Sequence, residues 1–342
     1  MHFLHRLAAF FTLFVLCASA GAQATSIAPG TRSVMDAHNC YPYFEWWADR
    51  IDRALSSGMP LAIEQDLDWY TDKHSGRSWA VVAHGGLLTG QEPIIDHYFF
   101  DRVRPIVEKA MKDQNRRDWP LVTLNLDFKS DNPELLAAVW SVLEKHRDWL
   151  TTASRTPDGK EVQSLDVKPI LVLTGESDAQ ENIFYEKIPV GGKLLAFGAV
   201  HSFTADPMSS PETMAPEGVS NYRRWWNNPW RVVERGGQAE AGDWTSEDEE
   251  RLRALVNYAH ARGLWIRFYT LDGATPQELS CFGWFRSYNF GSRRAAEKRW
   301  RAAAQAGVDY IASDQYEQLA ELLKNKAQRQ AKSAGSPLIS GD

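Results

Sequence analysis

Eight apolar runs recur along this chain of 342 residues, and each one ends in polar or charged residues. They are SVMDAHN, LAIEQDLDW, WAVVAH, LVTLNLDFK, KPILVLTGE, KLLAFGAVHS, LWIRFYTLDG and VDYIASD. Runs this continuous suit parallel strands buried on both faces. Most are followed by a stretch with helical apolar spacing. Such alternation without a Pro/Gly/Ser-rich linker predicts one large α/β domain. A doubly wound sheet would open its first helix with G-x-G-x-x-G, and that signature is missing. The pattern predicts a single (β/α)8 TIM-type barrel, irregular between Thr204 and Gly242, with its active site at the C-terminal strand ends.

Local signals set the helices. Gly58 suits the cap of a helix over YFEWWADRIDRALSS. IIDHYFFDRVRPIVEKAMKDQ reads as an amphipathic helix interrupted by Pro105. Asp131 or Asn132 caps NPELLAAVWSVLEKHRDWL, with Pro133 in its first turn. WTSEDEERLRALVNYAHARG opens on a capping box, Thr245 with Asp248 or Ser246 with Glu249. WAVVAH is either a hairpin partner of the preceding strand or its continuation.

The ends lie outside this pattern. Residues 1–24 join a mildly basic start to an apolar run closing on small residues, with Ala18-Ser19-Ala20 and Ala22-Gln23-Ala24 as cleavage-type sequences. This is a signal-peptide pattern, and it predicts an exported chain, periplasmic or secreted. The barrel is expected over 25–322 and a flexible tail over 323–342. Net charge is −6 with no basic stripe, which argues against a nucleic-acid partner. No protein partner is implied, and at most a transient contact with a membrane surface. Of the 3 cysteines, Cys40 and Cys281 survive cleavage; both follow strand ends and could form a disulfide or remain buried thiols.

Four segments concentrate the chemistry: His38-Asn39, Glu64-Gln65-Asp66, His84 and Asp127-Phe128-Lys129. Glu64 and Asp66 are two apart on a strand and so share a face. Paired carboxylates repel unless a proton or cation lies between them, and all-oxygen ligands favour Mg2+ or Ca2+. Asp127 can add a third carboxylate and Asn39 a neutral oxygen. Asp127 and Lys129 again share a face, either as an ion pair or as a metal ligand beside a phosphate clamp. Two strand-end histidines fit general acid/base work near neutrality. Arg267 either touches phosphate or pairs with Asp272. His201 is a weaker strand-end histidine. Trp225, Trp226 and Trp230, among 14 tryptophans, either pack the interior or offer a platform for a headgroup or sugar.

The ordered series H-N, E-x-D, H, D-x-K resembles the phospholipase C-like phosphodiesterase superfamily. That superfamily comprises glycerophosphodiester phosphodiesterases, phosphatidylinositol-specific phospholipases C and sphingomyelinases D. IEQDLDW is similar to its second strand, WIRFYTLDG to its penultimate strand and VDYIASDQYEQLAELL to its closing unit. The resemblance runs from about Ser33 to Leu322. It implies His38 and His84 as the catalytic pair, with His38 the base by analogy. It implies Glu64, Asp66, Asp127 and Asn39 around one divalent cation, and Lys129 with Arg267 on phosphate. The activity implied is phosphodiester hydrolysis or lysis on a phospholipid headgroup or small diester. Asn39 is similar to the phospholipases C and Asp127-x-Lys129 to the sphingomyelinases D, so motifs of several branches mix; the glycerophosphodiesterase pattern is departed from, with no H-R-G at His38 and Gly85 after His84. Two other readings fit the residues: a glycoside hydrolase using Glu64 and Asp127, and a non-catalytic barrel binding lipid or carbohydrate.

Overall fold

The structure, a computed structural model, describes residues 27–42, 47–202, 206–236, 241–282 and 289–334. Residues 1–24, where the signal peptide is expected, lie outside these.

Among the described residues, eight parallel strands close on one another. They are β1 (Val34–Ala37), β2 (Leu61–Thr71), β4 (Val122–Phe128), β6 (Ile170–Thr174), β8 (Phe197–Ala199), β9 (Arg223–Pro229), β10 (Trp265–Tyr269) and β11 (Tyr310–Ser313). Each pairs with the next in parallel, and β11 and β2 both pair with β1, which seals the barrel. Closure leaves no unpaired edge. The (β/α)8 reading of the sequence therefore holds. β3 (Ser78–Val82) pairs antiparallel with the far end of β2, Leu67 opposite Val82, so WAVVAH is a hairpin partner. A small second sheet joins β5 (Ala153–Ser154) and β7 (Lys193–Leu194).

The longer helices lie outside the barrel: α1 (Arg50–Ser56), α2 (Asp101–Asp113), α3 (Pro133–Lys145), α6 (Ser246–Ala261), α8 (Arg293–Ala306) and α9 (Tyr316–Ala334). Three short ones, α4 (Asp178–Glu181), α5 (Pro211–Met214) and α7 (Pro276–Phe282), sit in the connections. The caps follow the sequence. Asn132 accepts from the N–H groups of Glu134 and Leu135 at the start of α3. Thr245 and Asp248 form the reciprocal box at α6. Gly58, at φ 99°, makes the left-handed turn after α1 that a side chain would strain. The helix containing Pro105 is not interrupted; it loses only the one N–H that proline lacks.

Two expectations change here. Residues 204–242 are not irregular throughout, because they contain the barrel strand β9. Its sequence, RRWWNNP, buries both arginines and both tryptophans, so it shows neither an apolar run nor a clean alternation. Trp225, Trp226 and Trp230 are all fully buried, which makes them core and not a substrate platform. The expected tail begins inside α9, which extends to Ala334. No described helix is long and apolar enough to cross a membrane.

Candidate active site

The barrel interior carries a polar layer. Asp36 on β1, Glu64 on β2, Asn125 on β4, Asn227 on β9 and Arg267 on β10 point inward from their strands. Arg267 is 2% exposed. Its guanidinium binds Asp36 and Glu64, and it donates to Asn227 Oδ1 at 3.0 Å. Asn125 adds a weak 3.4 Å contact to Glu64. Sequence reasoning offered Arg267 a phosphate or Asp272. Its side-chain partners are Asp36, Glu64 and Asn227 and not Asp272: the inward parity of β10 places it between two buried carboxylates. Burial alone would lower its affinity for a proton, but Asp36 and Glu64 hold it firmly charged.

Above this layer sits a three-carboxylate cluster. Glu64, Asp66 and Asp127 each bring an oxygen within 4.8 Å of the others. Register explains it: Asp66 lies directly opposite Asp127 across the β2–β4 pair. Asp66 is 0% exposed, whereas the Asp127 side chain is 47% exposed at the rim. Lys129 Nζ lies 2.6 Å from Asp66 Oδ1 and 2.7 Å from Asp127 Oδ2. The other Asp66 oxygen, Oδ2, has no hydrogen-bond partner among the described residues. Burial and the charge of Glu64 push the Asp66 carboxyl well above its usual range, though Lys129 opposes this. Glu64 goes the other way. Burial raises it, but Arg267 first and then His38 and Lys129 bring it below its ordinary value. A buried carboxylate with an unpartnered oxygen, facing two further acids, is a donor set that suits a hard divalent cation. Lys129 and Arg267 already neutralise part of the cluster, so the fit involves their charges too.

His38 follows β1, two residues past Asp36 and on the same face. Its Nε2 lies 3.8 Å from Glu64 Oε1, and its Nδ1 lies 2.9 Å from Asp314 Oδ1. A carboxylate only accepts, so the proton of that bond belongs to Nδ1. Asp314, directly after β11, is held in turn by Arg50 Nη2 at 3.0 Å and by the Asn39 amide at 3.1 Å. The Arg50 guanidinium lies on Trp47, 3.5 Å from the ring centroid. Tyr316 donates to His38 O at 2.7 Å. Burial disfavours the imidazolium, but Glu64 and Asp314 outweigh it and raise His38 to about 9. Asp314 is likewise pulled down to about 2, burial being overcome by Arg50 and His38. Asp272 accepts from Ser313 Oγ and Asp314 N, both at 2.7 Å. Burial, reinforced by the charge of Asp314, lifts it to about 7.

His84 is more exposed. It follows β3, and its ring stacks on Tyr41 at 5.7 Å between centroids. Partial burial first and the Lys129 ammonium second hold it below its usual value. So His38 sits on the imidazolium side near neutrality and His84 on the neutral side.

The structure thus brings His38, His84, Glu64, Asp66, Asp127 and Lys129 to one face. Asn39, in left-handed backbone at φ 50°, turns its amide to Asp314 and not to the carboxylate cluster. His201 is engaged with Asp178 at 3.0 Å and Glu217 at 3.3 Å, apart from these groups. Cys40 is a free thiol, fully buried in the core; the side chain of Cys281, the other cysteine of the possible pair, lies outside the described residues. Asp36, Arg50, Asp314 and Tyr316 were missed as partners, and Asp272 was assigned to Arg267 where it binds Ser313 and Asp314. The signals were present: Asp36 has the parity of His38, and Asp314 ends a strand as Asp66 and Asp127 nearly do.

No family model matches the sequence, and no curated protein matches it. Solved structures similar in fold include a glycerophosphodiester phosphodiesterase from Parabacteroides distasonis ATCC 8503. It is 12% identical, with a TM-score of 0.45 over 87% of this chain and 99% of that chain. A glycerophosphoryl diester phosphodiesterase of the same organism is 14% identical, with a TM-score of 0.42 over 86% and 87%. A 7,8-dihydropteroate synthase from Vibrio fischeri ES114 is 12% identical, with a TM-score of 0.40 over 90% and 95%. Likeness at this level, shared by enzymes of unlike activity, is no guide to what this chain does.

Proposed function

We propose that the chain is an exported, metal-dependent phosphoric diester hydrolase or lyase acting on a phospholipid headgroup or another small phosphodiester. The observation that carries this reading is the meeting of three carboxylates and an ammonium beside a carboxylate-held histidine, at the C-terminal ends of barrel strands. Glu64, Asp66 and Asp127 would hold one Mg2+ or Ca2+. Such an ion neutralises the diester and the charge growing on its oxygens.

The chain's own groups do the rest. Lys129, at the end of β4, faces the mouth and offers its ammonium to a phosphate oxygen as a point charge. His84, neutral and rim-exposed, takes the proton from the attacking hydroxyl, which comes from water or from a neighbouring substrate oxygen. His38, kept protonated by Glu64 and Asp314, gives a proton to the leaving oxygen through Nε2. Asp314 fixes the His38 ring by occupying Nδ1. Arg267 serves the site from below, by holding Glu64 ionised. Held ionised, Glu64 is a poor proton donor, which weighs against it as the general acid of the glycoside hydrolase alternative.

Hydrolysis of bis-p-nitrophenyl phosphate tests the reading. Turnover is expected with Mg2+ or Ca2+, abolished by EDTA, and absent in His38→Ala and Glu64→Ala. Full activity in EDTA would refute the metal. Tight ligand binding without turnover, unaffected by His38→Ala, would favour the non-catalytic barrel. Export predicts a mature chain that begins near residue 25, which the mass of the secreted protein checks.

A further inference from the structure

The carboxylate cluster already holds a cation of the chain's own. Lys129 Nζ bridges Asp66 Oδ1 on β2 and Asp127 Oδ2 on β4 at 2.6 and 2.7 Å. These two acids are register partners, so the ammonium sits across the strand pair that frames the cluster. It occupies oxygens that a divalent ion would need. Two like-charged cations held by the same oxygens repel strongly where water is scarce.

The two basic residues here differ in freedom. Arg267 is buried at 2% and satisfied by three side chains in a planar, fixed geometry. Lys129 lies at the strand end on a flexible four-carbon stem, its side chain 17% exposed. An incoming ion can therefore move Lys129 and not Arg267. The nearest outlet is the mouth, where Asp127 is half-exposed.

We infer that Lys129 is a resident counter-ion that a divalent cation displaces from Asp66 and Asp127, and that the displaced ammonium becomes the phosphate ligand. This rests on the metal-dependent diesterase reading and deepens it. Binding becomes ordered: without the cation, Lys129 is tied to carboxylates and the site repels anions. With the cation, Lys129 is released and a phosphate finds both charges.

Calorimetry on the full chain stripped of metal tests this without any turnover. Mg2+ and Ca2+ are titrated into wild type and Lys129→Gln, with folding checked by circular dichroism. Lys129→Gln removes both charge-assisted contacts to the carboxylates, and even one of them is worth about tenfold tighter cation binding in the variant. Inorganic phosphate should bind wild type only when the cation is present, and this second measurement needs no variant. Equal or weaker cation binding by Lys129→Gln, or phosphate binding by wild type without cation, would overturn the inference alone. Failure of wild type to bind either cation would remove the inference and the metal-dependent reading together.

Discussion

Arg267→Leu is the most informative single change. Arg267 is the cation between Asp36 and Glu64, and all three side chains are at most 4% exposed. Leucine would leave two buried carboxylates facing each other. Breaking a buried pair by removing one partner costs about 3–5 kcal/mol. Protonating one carboxylate from its ordinary range at pH 7 costs about 4 kcal/mol, which agrees. Against a typical total of about 5–15 kcal/mol, such a loss is severe. The variant's buried carboxylates would have folded pKa values above their unfolded ones. The penalty is therefore full near pH 7 and shrinks as pH falls, by about 1.4 kcal/mol per unit toward pH 5. Arg267→Leu combined with Glu64→Gln should recover part of the loss, because the second change removes a charge the first exposes. Equilibrium urea unfolding followed by circular dichroism, at pH 7 and pH 5, measures all of this. A cost below about 1 kcal/mol, equal at both pH values, would refute the burial argument. A selective loss of phosphate binding in that case would restore Arg267 to the mouth.

Other consequences follow from the same geometry. Asp314→Asn should keep the barrel closed but lower kcat about 100-fold or more, since the His38 ring loses the acceptor that fixes its proton on Nδ1; the His38 pKa, read by NMR, should fall with it. His38, raised to about 9 in the fold from an ordinary 6.5, adds stability that is full below about pH 6.5 and is lost as pH rises through about 9. Unfolding free energies of wild type and His38→Ala should therefore converge over that window, and parallel curves would contradict the pairing. Thr245→Ala should cost about 1 kcal/mol by urea unfolding, through loss of the α6 capping box.

The sequence displayed the cluster better than it displayed what holds the cluster. Glu64, Asp66 and Asp127 were readable because period 2 puts them on one strand face and strand ends share a barrel face. Their partners come from distant strands, and no local pattern announces them. Arg267 lies 231 residues from Asp36, and a strand arginine reads equally well as exposed or inward. Asp314 lies 276 residues from His38, and its role appears only when β11 closes against β1. β9 escaped detection for a related reason. Its richness in Trp, Asn and Pro read as irregular, yet Arg223 donates to Ala199 O at 2.6 Å and is buried against β8.

The central claim is that this face cleaves a phosphodiester with an ion held by Glu64, Asp66 and Asp127. Phosphorus NMR of a diester panel, including lysophospholipids and glycerophosphodiesters, with Mg2+ or Ca2+ and then with EDTA, tests it most directly. The account predicts that at least one diester resonance converts to a monoester or cyclic phosphate, that EDTA stops the conversion and that Glu64→Gln abolishes it. An unchanged spectrum across the panel, or conversion that persists in EDTA and in Glu64→Gln, would contradict it.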